Sequence, residues 1–192
     1  MRVYQSHVKV AETPQVKPGT ILIAQGFWNR SELQRSVVLI LEHDEYGSTG
    51  VILNKLTDLN VARVLSGFNI NAPLFYGGPA SSDRMGFLHR EKNISLTVKI
   101  TDDLYWGGNI YQLKYLMEAG ELKPSEIKFY AGLVNWAPGE LFYEICTRNW
   151  WLGEITFKEL MSIDSFNLWT SKLIKQENLY GLLHAVPDPV LN

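Results

Sequence analysis

Disulfide chemistry is absent from this chain: its 192 residues hold one cysteine, Cys146. A secreted framework stapled by internal disulfides is thereby excluded, and a reducing, cytoplasmic setting is expected. A basic surplus is missing too. Lys and Arg number 18 against 20 for Asp and Glu, a formal net charge of −2. Dedicated nucleic-acid binders neutralise phosphates with excess positive charge, so the balance argues against direct nucleic-acid binding. Long apolar runs are lacking as well. No stretch approaches the roughly 20 apolar residues of a membrane-spanning helix, so no membrane association is expected. Residues 1–17 are polar with scattered charge and carry no signal-peptide core; they read as a flexible arm, and 185–192, with Pro187 and Pro189, as a loose tail. No Gly-x-Ser-x-Gly elbow, phosphate-loop spacing, internal repeat or low-complexity tract occurs.

What is present describes an ordinary globular chain, with 46% hydrophobic and 20% charged residues, and its length suits a single domain over 1–192. Thr20 to Ala24 reads as a strand, and Asn29 to Gln34 as a short helical turn. Ser36 to Glu42 is a continuous apolar run, as expected of a strand covered on both faces, and Thr49 to Asn54 returns beside it as a hairpin partner. Asn60 to Ser66 suits a short helix. Pro73 to Tyr76 and Gly86 to Arg90 read as brief strands. Ile94 to Ile100 alternates apolar and polar residues, which predicts a strand with one buried face. Gly108 to Ala119 carries a helical stripe that Gly120 stops. Ile127 to Val134 reads as a strand. A helix from Pro138 to about Arg148 is expected to bury Leu141, Phe142, Ile145 and Cys146. Glu154 to Phe157 follows as an edge strand, and Phe166 to Gln176 as a last helix using Phe166, Trp169, Leu173 and Ile174. Strands precede helices with few βαβ units, so the class is α+β.

Several residues invite a chemical reading. Glu42, His43, Asp44 and Glu45 form the densest group of metal-capable side chains, but strand alternation sets His43 opposite Glu42 and Asp44, and no metal is assigned. Gly77-Gly78-Pro79 with the serines after it could offer backbone N–H groups to an anion; Pro79 removes a donor and no Lys follows, so a structural turn is preferred. Arg84, Arg90, Lys92 and Lys99 form a locally basic run that reads as a solvated face. Ser36 or Ser81 with His43 or His89 and Asp83 could compose a triad, though residue types alone identify none. Cys146 reads as an inert core thiol. At least one of Trp150 and Trp151 is expected to be partly exposed.

Ordered blocks then carry a resemblance. Arg35-Ser36-Val37-Val38, Glu42-His43, Gly47-Ser48-Thr49-Gly50 with Asn54, Gly77-Gly78-Pro79 and Leu88-His89 come first. Gly132, Trp136, Gly139, Leu141, Glu144 and Trp150-Trp151-Leu152 follow. In this order the chain resembles the YqgE/AlgH family of small bacterial proteins. The resemblance implies a compact domain with a curled, barrel-like mixed β-sheet and flanking helices, and it brings a historical label as a transcriptional regulator. It brings no catalytic set and no cofactor. Glu140 stands where the family usually has Gln, and Phe142 where Glu is common. The family-matching residues Arg35, His43, Asn54, Gly77, Gly78, His89 and Trp136 are the candidate functional cluster. Two functions follow as expectations: a non-enzymatic binding or regulatory protein acting through a protein or small-molecule partner, or a small-molecule hydrolase with His43 or His89 as base.

Overall fold

A computed structural model describes residues 15–26, 30–65, 67–68, 70–162 and 165–176. The expected arm lies outside these residues save for 15–17, and the expected tail lies wholly outside them. The strands are β1 (Ile21–Ala24), β2 (Val37–Asp44), β3 (Gly47–Ile52), β4 (Leu56–Asn60), β5 (Pro73–Tyr76), β6 (Ala80–His89), β7 (Thr97–Lys99), β8 (Tyr105–Gly107), β9 (Lys128–Trp136) and β10 (Trp150–Gly153). The helices are α1 (Val61–Val64), α2 (Ile110–Glu118), α3 (Glu140–Cys146), α4 (Phe157–Ser162) and α5 (Ser165–Ile174).

All ten strands join one curled, half-barrel sheet, in the order β10-β1-β2-β3-β9-β6-β8-β7, with β5 also on β9 and β4 on β5. Every pairing is antiparallel except β5 with β9, so the sheet is mixed. The apolar runs of β1 and β2 are buried on both faces, as their composition requires. Ile21, Ile23, Val37 and Leu39 join one core with Trp169 and Leu173 of α5. Leu22, Val38 and Ile40 join a second with Leu141 of α3, and a third, around Phe129 and Leu113, lies under α2.

β9 holds the sheet together. It pairs with β6 along one edge, and with β5 and then β3 along the other. Gly132, at φ +82, interrupts its pleat: Tyr130 and Leu133 both pack into the α5-side core, whereas Phe129 and Val134 face the other way. The interruption coincides with a register shift between Ala80 and Met85 of the partner strand.

Four expectations change. Of Ile94 to Ile100 only Thr97–Lys99 is strand. Leu96 takes a left-handed φ of +61 and is 87% exposed, so the alternation never reaches a common face. In α3 the inward positions are Leu141 and Glu144; Phe142 and Cys146 are exposed. A stripe drawn through apolar residues alone passes over an acid that is hydrogen-bonded inside. The edge strand is Trp150–Gly153, paired with β1, and not Glu154 to Phe157. Thr156 instead starts α4 in a reciprocal cap, with Glu159 N–H donating to Thr156 Oγ1 at 3.1 Å and Thr156 N–H to Glu159 Oε2 at 3.0 Å. In α5, Phe166 and Ile174 are exposed, while Leu168, Trp169, Lys172 and Leu173 turn inward.

Candidate functional site

The sequence-derived cluster occupies separate places. Arg35 and Asn54 meet at the start of β2. Asn54 Nδ2 donates to Arg35 O at 2.9 Å, and Asn54 Oδ1 accepts from Val37 N–H at 2.8 Å. The amide thereby holds Arg35 at a left-handed φ of +52, and the Arg35 guanidinium stacks over Trp169, 5.3 Å from the ring centre. His43 and Trp136 lie at the far end of β2, where Ser48 pairs in register with both. Gly77 and Gly78 form a close backbone crossing with β9: Gly77 N–H donates to Ala131 O at 2.7 Å, and a Cβ on Gly78 would strike Leu133 O. The Gly77 N–H is thereby spent on backbone.

His89 lies at the opposite end of β9 from Trp136, since its neighbour Leu88 pairs with Lys128. Fully buried, it packs against Phe87 and Tyr105. Its Nδ1 accepts from Glu91 N–H at 3.2 Å, so Nε2 carries the proton and donates to Gly107 O at 2.9 Å. Burial lowers its pKa from the ordinary 6.5, favouring this neutral tautomer. The ring ties β6 to β8.

At the His43 end, a groove of about 300 Å³ is lined by Glu42, Asp44, Tyr46, Ser48, Asn135 and Trp136. His43 Nδ1 lies 2.7 Å from Ser48 Oγ. Among the described residues no three His, Cys, Asp or Glu side chains come together as metal ligands. Beneath the groove, Glu144 is the centre of a buried polar constellation. Its Oε2 accepts from Trp136 Nε1 at 2.8 Å and Trp150 Nε1 at 2.7 Å, and its Oε1 accepts from Arg30 at 2.7 Å. Glu140 approaches the same guanidinium at 3.7 Å and accepts Ala137 N–H at 2.9 Å, so this acid caps its own helix. The two indoles meet edge to face, 6.2 Å apart. Trp150 is buried and Trp151 half-buried, as adjacency along a strand requires.

Two lysines escaped the sequence reading. Lys172 is buried in α5 and donates to Glu154 O at 2.7 Å and Glu159 Oε1 at 3.1 Å. The Thr156-x-x-Glu159 spacing is a helix-start signal that marks the acid, though nothing marks its partner. Lys128 opens β9 beside a pocket of about 350 Å³. Its ammonium lies over Phe75, 5.0 Å from the ring centre, with no hydrogen-bond or ion-pair partner among the described residues. Burial lowers its pKa. Of the basic run of 84–99, Lys99 pairs with Asp102 at 2.8 Å, and Arg90 stacks over Phe157.

Comparison with known proteins gives one consistent picture. A profile described as AlgH-like matches residues 21–180. A UPF0301 protein of Chlorobium limicola is 33% identical over 187 residues, covering 95% of this chain and 100% of that one. A UPF0301 protein of Parabacteroides distasonis is 36% identical over 179 residues, covering 91% and 90%. Among solved structures, protein DIP2367 of Corynebacterium diphtheriae superposes with a TM-score of 0.73 at 23% identity, covering 92% of this chain and 95% of that one. The AlgH protein of Pseudomonas aeruginosa gives 0.69 at 22% identity, covering 93% and 98%. At these identities the structural likeness concerns the fold.

Proposed function

The chain belongs to the AlgH-like family, and from that premise we propose a non-enzymatic binding or regulatory protein that acts through a small-molecule or protein partner. The observation that carries this reading is the pocket at Lys128, where a half-buried ammonium faces apolar walls. Three other polar residues have structural employment: His89 spends both ring nitrogens on backbone, Asn54 both ends of its amide, and Glu144 both oxygens. Regulation by direct DNA contact is disfavoured by a net charge of −2, and Lys99 and Arg90 of the basic run are paired or stacked within the chain. Native mass spectrometry of the protein isolated at its natural abundance tests the proposal. A bound small molecule or a stoichiometric partner is expected; repeated recovery of the bare chain would sink it.

A second reading rests on the 2.7 Å contact between His43 Nδ1 and Ser48 Oγ beside a groove. A serine hydrogen-bonded to an imidazole is the core of a hydrolase nucleophile. Ester hydrolysis that persists unchanged in a His43→Ala, His89→Ala double variant would dismiss it.

A further inference from the structure

The pocket beside Lys128 is lined from β4 by Leu56, from β5, from the 3-10 turn Pro124–Glu126 that leads into β9, and by Met161 of α4 and Ser165 of α5. Phe75, Pro124, Ile127 and Met161 give it apolar walls, and Ser125 and Ser165 add two hydroxyls. Its volume of about 350 Å³ falls near the lower end of the range of about 300–1,000 Å³ that small-molecule sites occupy. Within the sheet, Lys128 and Tyr130 alternate onto one face of β9, and Phe75 touches both, so the Lys128 stem is fixed against an aromatic floor. The floor is rigid, because Tyr130 and Phe75 are themselves buried.

An ammonium in such a setting is costly while unpaired, and none of the described residues pairs an anion with it. Three acids elsewhere are already paired: Glu159 with Lys172 and Lys175, Asp102 with Lys99, and Glu118 with Lys114. Complementarity therefore calls for one negative charge joined to an apolar body. A phosphate dianion would need several converging donors, whereas this pocket offers one cation and two hydroxyls. Resting on the binding reading above, we propose that the pocket takes a small monocarboxylic acid, its carboxylate paired with Lys128 Nζ and its apolar part against Phe75, Ile127 and Met161.

The test is an amide-detected NMR titration of the full chain with 3-phenylpropanoate, 3-phenylpropan-1-ol and 3-phenylpropylamine as probes. The acid is expected to shift the amides of Phe75, Ile127 and Lys128 and to bind about tenfold or more tightly than the alcohol, the worth of one charge-assisted hydrogen bond. Lys128→Met should abolish that preference while the alcohol's affinity stays unchanged, and Lys128→Arg should keep it. Equal affinity of wild-type protein for acid and alcohol overturns the carboxylate assignment yet leaves a binding pocket in place. Preference for the amine, or an undiminished acid preference in Lys128→Met, overturns the role of the lysine. Absence of shifts with all three probes overturns the site. None of these failures touches the native-mass result, which judges the binding reading on its own. Should Lys128→Met not fold, the acid-to-alcohol ratio in wild type and in Lys128→Arg decides the matter.

Discussion

At Glu144 a single carboxylate oxygen receives two indole N–H groups while the other receives Arg30. The side chain is 8% exposed, so each donor it satisfies would otherwise be stranded in an apolar setting. Glu144→Ala orphans both Trp136 and Trp150 and should cost about 2–5 kcal/mol. Glu144→Gln keeps a carbonyl oxygen for both indoles and loses only the charged bond to a half-exposed guanidinium, about 1 kcal/mol after solvent screening. Thermal melts check the difference: each kcal/mol moves the midpoint about 2–4 °C for a chain of this size, so the Ala variant should fall well below the Gln variant. In the sequence Glu144 stands out only within its family block. The available clue was the pair of tryptophans at 136 and 150, whose N–H groups need a buried acceptor. Asn54, expected in a functional cluster, instead holds Arg35 through its amide.

Elements built on hydrophobic period were readable where every inward residue is apolar. β1, β2 and α2 meet that condition, and their ranges agree with the apolar pattern to within a few residues. The reading failed where the backbone breaks its own pleat or where a polar side chain turns inward. Leu96 illustrates the first and the Glu144 face of α3 the second. Lys172 repeats the second in α5, where an ion pair with Glu159 buries a residue that composition assigns to solvent. Gly132 supplies a test at this scale. It combines a left-handed φ with a crossing so close that a Cβ would strike Gly78 O. Gly132→Ala should cost more than about 3 kcal/mol, since strain and clash add. Gly120 also has positive φ, at +75, but nothing lies within 4 Å of its missing Cβ. Gly120→Ala should therefore cost only about 1 kcal/mol. Urea unfolding of the two variants measures the gap, and equal losses would contradict the crossing as its cause.

For the molecule as a whole, acid stability should fall in two steps, one setting in near 6.5 and the other near 4.5. Burial depresses the pKa of His89 below 6.5, so the unfolded chain takes up that proton first. Stability is complete above 6.5, declines as pH drops through it, and levels off once the folded value is passed. Glu159 is held at about 2 by the Thr156 backbone N–H first and then by Lys172 and Lys175, against an ordinary 4.5. Its contribution is complete above 4.5 and disappears between there and about 2. Denaturant midpoints across pH should show both declines; Glu159→Gln should remove the lower one and His89→Gln the upper. The arrangement of β9 has a consequence of another kind. Both of its edges are occupied, so β3, β5 and β6 each wait for a partner that begins only at Lys128, and β1 waits for Trp150. On the ribosome the hairpin of β2 with β3 can close early, but the sheet cannot. The emerging chain must carry open strand edges through most of its synthesis, which makes its birth, more than its mature state, the stage most exposed to aggregation.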